Sequence, residues 1–133
     1  MDTVKNIELI KQLFKSYQEK NIQQFLTHFS QDIVWIEPGD SDIPYSGTYK
    51  GIPGVVDFLT KVSTLMEMKV FIPTDFFAEG NMVTVLGNSE SVIKATGKSY
   101  QSLWVYVFTI ADQKIKQIQV HMDTLAIAKA FKP

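Results

Sequence analysis

The sequence predicts an α+β domain in which N-terminal helices pack on one face of a strongly curved antiparallel sheet, making a cone. Three observations carry this. Apolar residues recur at helical spacing through three early segments. From about Lys69 the pattern switches to alternation and stays there nearly to the end. The alternating segments are separated by short turns at Gly80-Asn81, Gly97-Lys98 and Asp112-Gln113, as an antiparallel meander requires.

In chain order, Asp2 or Thr3 caps a first helix whose stripe runs Val4, Ile7, Ile10, Leu13 or Phe14, and Tyr17. Asn21 with Gln24 three residues on forms a capping box for a second helix, which aligns Ile22, Phe25, Leu26 and Phe29. Ile33–Glu37 reads as a strand stopped by Pro38-Gly39, and residues 38–51 as a long loop carrying Tyr45 and Tyr49. Pro53 suits the first turn of a third helix, with Val55, Phe58, Leu59, Val62 and Met66 on one side. Strands follow over Val70–Glu79, Met82–Ala95, Tyr100–Ile110 and Ile115–Asp123, and Leu125–Phe131 closes the chain as a short helix capped by Asp123 or Thr124. Pro73, Gly87 and Gly97 are the points at which long strands can bend.

Composition removes several classes of function. The net charge is −1, without a basic run, so neither nucleic acid nor an anionic membrane surface has electrostatic support. There are no cysteines, hence no disulfides or thiol chemistry, which fits a reducing compartment; with no signal pattern at the N-terminus, we expect a cytoplasmic protein. All 13 basic residues are lysines, so a bidentate arginine clamp for carboxylate or phosphate is absent. No glycine-rich phosphate loop is present, and no cofactor is implied.

The last strand is unusual. Ile118, Val120 and Met122 fall on one side; Gln117, Gln119, His121 and Asp123 fall on the other. Either the polar side meets water or it lines a cavity. We expect the cavity, with His121 and Asp123 as its polar groups, and a second copy of the chain covering Ile118, Val120 and Met122 on the outer sheet face. Asp123 has a competing role as a helix cap, and His121 one as a histidine satisfied by its neighbour. Glu37 shares a strand face with Ile33 and Trp35 and should point where the tryptophan points. Trp104, Tyr106 and Phe108 share one face of their strand; their hydroxyl and indole N–H need partners when buried. With Trp35, Tyr45, Tyr49 and Phe58 they are the expected pocket walls. A metal site is not expected, because His121 and Asp123 supply only two ligands and His28 sits on a helix away from them.

Two short helices, the passage Phe29–Trp35, the segment Pro44–Gly51, then Leu103–Thr109 and His121–Thr124 resemble the SnoaL-like proteins. These are a branch of the ketosteroid-isomerase-like superfamily, also called the nuclear-transport-factor-two-like fold. The resemblance covers essentially the whole chain as one domain, residues 1–133. It implies a cone pocket for a small, largely apolar molecule and a cofactor-independent enzyme of isomerase or lyase type, such as an isomerase, cyclase or dehydratase. The alternative it carries is a non-catalytic ligand-binding or dimerisation module. By the same resemblance Glu37 matches the general base of ketosteroid isomerase. That enzyme's two oxyanion donors, a tyrosine and a protonated acid, fall at Leu13, which cannot donate a hydrogen bond, and near Trp104 or Val105, neither of them acidic. Asp123 matches the acid–base aspartate of SnoaL-type cyclases, and the Asp–Arg–Asp set of limonene epoxide hydrolase fails for want of arginine.

Overall fold

Short-range side-chain caps start three of the four helices among the described residues. In the computed structural model, which describes residues 2–133, the Asp2 carboxylate accepts from the Lys5 N–H at 3.1 Å, opening α1 (Thr3–Gln18). Asn21 accepts from the Gln24 N–H at 3.1 Å, opening α2 (Ile22–Leu26). Asp123 does the same for Ala126 at 3.1 Å, opening α4 (Thr124–Phe131). Between them run β1 (Phe29–Glu37), β2 (Gly47–Lys50), α3 (Gly51–Leu65), β3 (Met66–Glu79), β4 (Met82–Ile93), β5 (Ser99–Ala111) and β6 (Lys114–Met122). The expected loop at 38–51 thus contains a short strand, and β1 begins four residues before Ile33.

The strands form one six-stranded sheet in the order β2-β1-β6-β5-β4-β3. β3 to β6 are the expected antiparallel meander, but β1 lies parallel to β6, so the sheet is mixed rather than purely antiparallel. The reason is chain routing. α3 carries the chain from β2 at one edge to β3 at the other, and the meander then returns to meet β1 from the far side. The sheet curves without closing.

Two irregularities of register bend the edge strand β3, between Met68 and Val70 and between Pro73 and Asp75. Pro73 is tolerated because β3 has a free edge. Its partner across the ladder is Gly87, and this glycine is required by packing: a Cβ there would lie 2.2 Å from the Trp104 ring. Trp104, at 1% exposure, stacks on both Phe14 of α1 (5.7 Å between centroids) and Phe71 of β3 (4.9 Å), which also touch each other at 5.9 Å. That stack joins the first helix to the middle of the sheet. Gly97, by contrast, sits in the β4–β5 turn with φ +72° rather than bending a strand.

The concave face carries the core. Val83 and Val85 of β4, Trp104, Tyr106 and Phe108 of β5, and Ile115, Ile118 and Val120 of β6 are all buried in one core cluster with Leu13 and Phe14 of α1 and Val55 and Phe58 of α3. Ile118 and Val120 therefore point into the cone, at 0% and 1% exposure, not onto the outer face as expected. Among the described residues no helix is long and apolar enough to cross a membrane.

Candidate functional site

Glu37 is the last residue of β1, and strand alternation places it on the same face as Ile33 and Trp35. All three point inward; Glu37 is 5% exposed. The Trp35 indole N–H donates to the Glu37 carboxyl at 3.0 Å. Phe58 of α3 packs on the Trp35 ring at 4.8 Å and fixes its orientation. An anion so buried lacks water to solvate it, and one indole donor offsets only part of that cost. Burial therefore pushes the Glu37 carboxyl up to about 8 from 4.5, the Trp35 hydrogen bond pulling the other way.

Beyond this carboxyl lies an internal cavity of about 60 Å³, walled by side chains of α1, α2, α3 and the concave sheet. Its apolar lining includes Leu13, Phe14, Phe25, Trp35, Phe58, Phe71, Phe108 and Met122. Its polar lining is Glu37, four phenols (Tyr17, Tyr45, Tyr100 and Tyr106) and Ser89. None of these is a cation. The Tyr17 hydroxyl donates to the thioether of Met68 and that of Tyr100 to the thioether of Met66, each at 3.8 Å. Thioethers are weak acceptors, so both hydroxyls keep most of their donor capacity. Ser89 Oγ is buried without a partner. Burial, then the nearby Glu37 charge, holds the Tyr106 hydroxyl well above its ordinary pKa. Burial and the neighbouring phenol of Tyr100 raise that of Tyr45 as well. The phenols are therefore donors, not bases, at any ordinary pH.

Among the residues expected from the sequence, Glu37, Trp35, Tyr45, Phe58 and Tyr106 line this cavity. Tyr49 is buried beside it; its hydroxyl donates to the Tyr45 carbonyl at 2.7 Å and so positions Tyr45 rather than lining the wall. Trp104 lies in the aromatic stack behind Tyr106, its indole N–H buried without a partner.

His121 and Asp123 are corrected. Their side of β6 is the convex one, where Gln119 and His121 are exposed, so the polar face meets water. Asp123 is exposed too, its carboxylate spent on capping α4. Its backbone N–H donates to the Ser102 hydroxyl at 2.9 Å, tying the helix start to β5. Neither residue reaches the cavity. Among the described residues no group of three or more His, Asp or Glu side chains converges. His28, just past α2, has its Nε2 buried without a partner. Burial first, then Lys114, lowers its pKa.

Three polar wall residues, Tyr100, Tyr17 and Ser89, were not among the pocket residues expected from the sequence. Tyr100 has the parity of Trp104, Tyr106 and Phe108 and was findable by extending that alternation two turns of the pleat. Tyr17 was seen only as part of a helix stripe. Ser89 and Met68 carried no sequence signal, and Met66, which receives the Tyr100 hydrogen bond, was seen only at the end of the third helix's apolar stripe.

A curved sheet closed by helices over an apolar cavity with one buried carboxyl defines the class of small cone-shaped pocket proteins. The chain belongs to the SnoaL-like domain family, whose model matches residues 10–118. A nuclear-transport-factor-2-like protein from Burkholderia xenovorans LB400 is similar at 30% identity over 99% of both chains, with a TM-score of 0.90. Another, of unknown function, from Burkholderia pseudomallei K96243 is similar at 22% identity over 100% of both, with a TM-score of 0.88. TerC, solved after co-crystallisation with polyporic acid, is similar at 26% identity over 97% of this chain and 99% of its own, with a TM-score of 0.86. None of the curated proteins matches the chain.

Proposed function

We propose that this protein binds a small, largely apolar molecule bearing a carbonyl and moves a proton at the carbon next to it, with Glu37 as the acid–base group. The observation that carries this is the buried Glu37 carboxyl, raised to about 8 at the wall of the cavity. In its ionised form Glu37 takes the proton from the substrate carbon. The electron pair of that C–H bond passes to the carbonyl oxygen as an enolate. The now neutral Glu37 returns the proton to the same carbon or to a conjugated one, so no net oxidation occurs and no cofactor is consumed. The enolate oxygen is met by the phenol hydroxyls that share the cavity wall with Glu37, Tyr106 among them with Tyr17 or Tyr100. These donors come from different positions than the Leu13 and Trp104 or Val105 sites of the ketosteroid isomerase pattern. That TerC was co-crystallised with polyporic acid supports a small organic ligand.

The test is deuterium exchange at the carbon next to the carbonyl in simple cyclic and aryl ketones, followed by proton NMR. The wild-type protein accelerates exchange, and Glu37→Gln lowers the rate by about 10²–10⁴. An equal rate in the variant would end the proton-transfer reading and leave a non-catalytic ligand carrier.

We propose further that the protein pairs with a second copy through its convex sheet face. The outer-face exposure expected of Ile118, Val120 and Met122 does not hold, since Ile118 and Val120 are buried in the cone and Met122 lines its cavity. Different residues support the pairing: Leu103 (81% exposed), Phe77 (56%), Ile72 (50%) and Met82 (44%) stand on that face with Leu86, Val105 and Val107 among them. Sedimentation should give a dimer that Leu103→Lys converts to monomer; a wild-type monomer overturns the pairing.

A further inference from the structure

A cavity of about 60 Å³ has room for a few waters, far below the ~300–1,000 Å³ of typical ligand sites. A second space of about 740 Å³ lies directly outside it, in a cleft between the end of α1, α3 and the start of β3. Six residues line both: Tyr17, Leu59, Val62, Met66, Met68 and Phe71. The two spaces are therefore separated only by side chains. A hydrogen bond joins two of these partition residues across the elements, from the Tyr17 hydroxyl of α1 to the Met68 thioether of β3, at 3.8 Å. Such a bond is weak, and methionine is an adaptable side chain, so this link opposes opening of the partition only slightly.

The two spaces differ in chemistry along their common axis. The inner end holds Glu37 and phenol donors. The outer cleft exposes Ile22 (40%) and Val56 (42%), and its rim carries Lys20, Glu67 and Lys69. Lys69 is already paired with Glu67 at 2.9 Å, so the rim is polar without a free anion trap at that point.

We propose that the ligand is an elongated molecule that fills both spaces: an oxygen-bearing head against Glu37 and the phenols, and an apolar chain or ring system lying along Val56 and Ile22. Tyr17 and Met68 part to admit it, and Tyr17 is thereby a specificity residue for ligand length. This rests on the reading of the inner cavity as a ligand site.

The probes are straight-chain methyl ketones, from butanone through dodecanone, with binding measured by calorimetry. Affinity should rise roughly fourfold per added methylene once the head-sized space is filled. Val56→Lys, on the outer cleft alone, should weaken dodecanone at least about tenfold more than butanone. Tyr17→Phe should speed association of the long ketones more than that of butanone. Affinity that stays flat with chain length, or a Val56→Lys effect equal on short and long ketones, overturns the two-space proposal and leaves the Glu37 reading intact. Chain-length dependence with exchange indifferent to Glu37→Gln does the reverse. No binding at any length overturns both.

Discussion

Glu37 and Asp123 make an instructive pair. Each follows an alternating strand, each sits beside a histidine or tryptophan two residues back, and their strands β1 and β6 are neighbours in the sheet. From sequence they are rival candidates for one task. In the structure Glu37 is on the concave side at 5% exposure with an indole donor, while Asp123 is exposed and caps a helix. The difference is parity relative to the helical cover. Glu37 has the parity of Ile33 and Trp35, both under α3. His121 has the opposite parity to Ile118 and Val120, which fill the cone. A strand with one polar side shows that its two faces differ, but buried aliphatics on the other side indicate which face is covered.

The sharpest way to break this comparison is pH. An acid whose pKa is higher folded than unfolded binds its proton more tightly in the folded state. Wild-type stability should therefore be full below about pH 4.5 and fall as pH rises toward about 8, by an amount of order 5 kcal/mol. Glu37→Gln should remove most of that slope and be more stable than wild type above pH 8, measured by urea unfolding across the range. The same titration predicts that exchange activity climbs with pH and levels off above about 8, since only the ionised carboxyl is a base. A wild-type slope no steeper than the variant's would show that Glu37 is solvated.

A smaller effect isolates the indole. Trp35→Phe keeps an aromatic ring against Phe58 but deletes the donor at 3.0 Å, so the Glu37 pKa should rise further. Carbon-13 NMR of the carboxyl reads it directly; an unchanged or lower midpoint would mean that the indole does not favour the ionised form.

Asp123 should respond as a cap alone. Asp123→Ala is expected to cost about 1 kcal/mol of stability and Asp123→Asn much less, with exchange rates within about twofold of wild type in both. His121→Ala, on the exposed side, should change stability by less than about 0.5 kcal/mol. Loss of activity in either position would place the convex side in the chemistry after all.

The helix starts were legible because capping is local: Asp2, Asn21 and Asp123 each reach an N–H three residues away. The meander was legible because turn residues and alternation need no distant partner. The parallel pairing of β1 with β6 was not, since it depends on where α3 delivers the chain. The aromatic face of β5 could be read from its spacing, yet which rings face the cavity and which stack behind it depends on Phe14, Phe71 and Gly87, contributed from other elements.

What the sequence determined by itself is thus the order and kind of the elements, the family resemblance, and the exclusion of arginine- and cysteine-based chemistry. These depend on composition and on contacts within a few residues. What only the tertiary structure decided is which carboxyl is buried, because burial depends on what packs over each face. The same folding that hides Glu37 under α3 leaves Asp123 in water, and it is the withdrawal of water that brings the Glu37 carboxyl up to about 8.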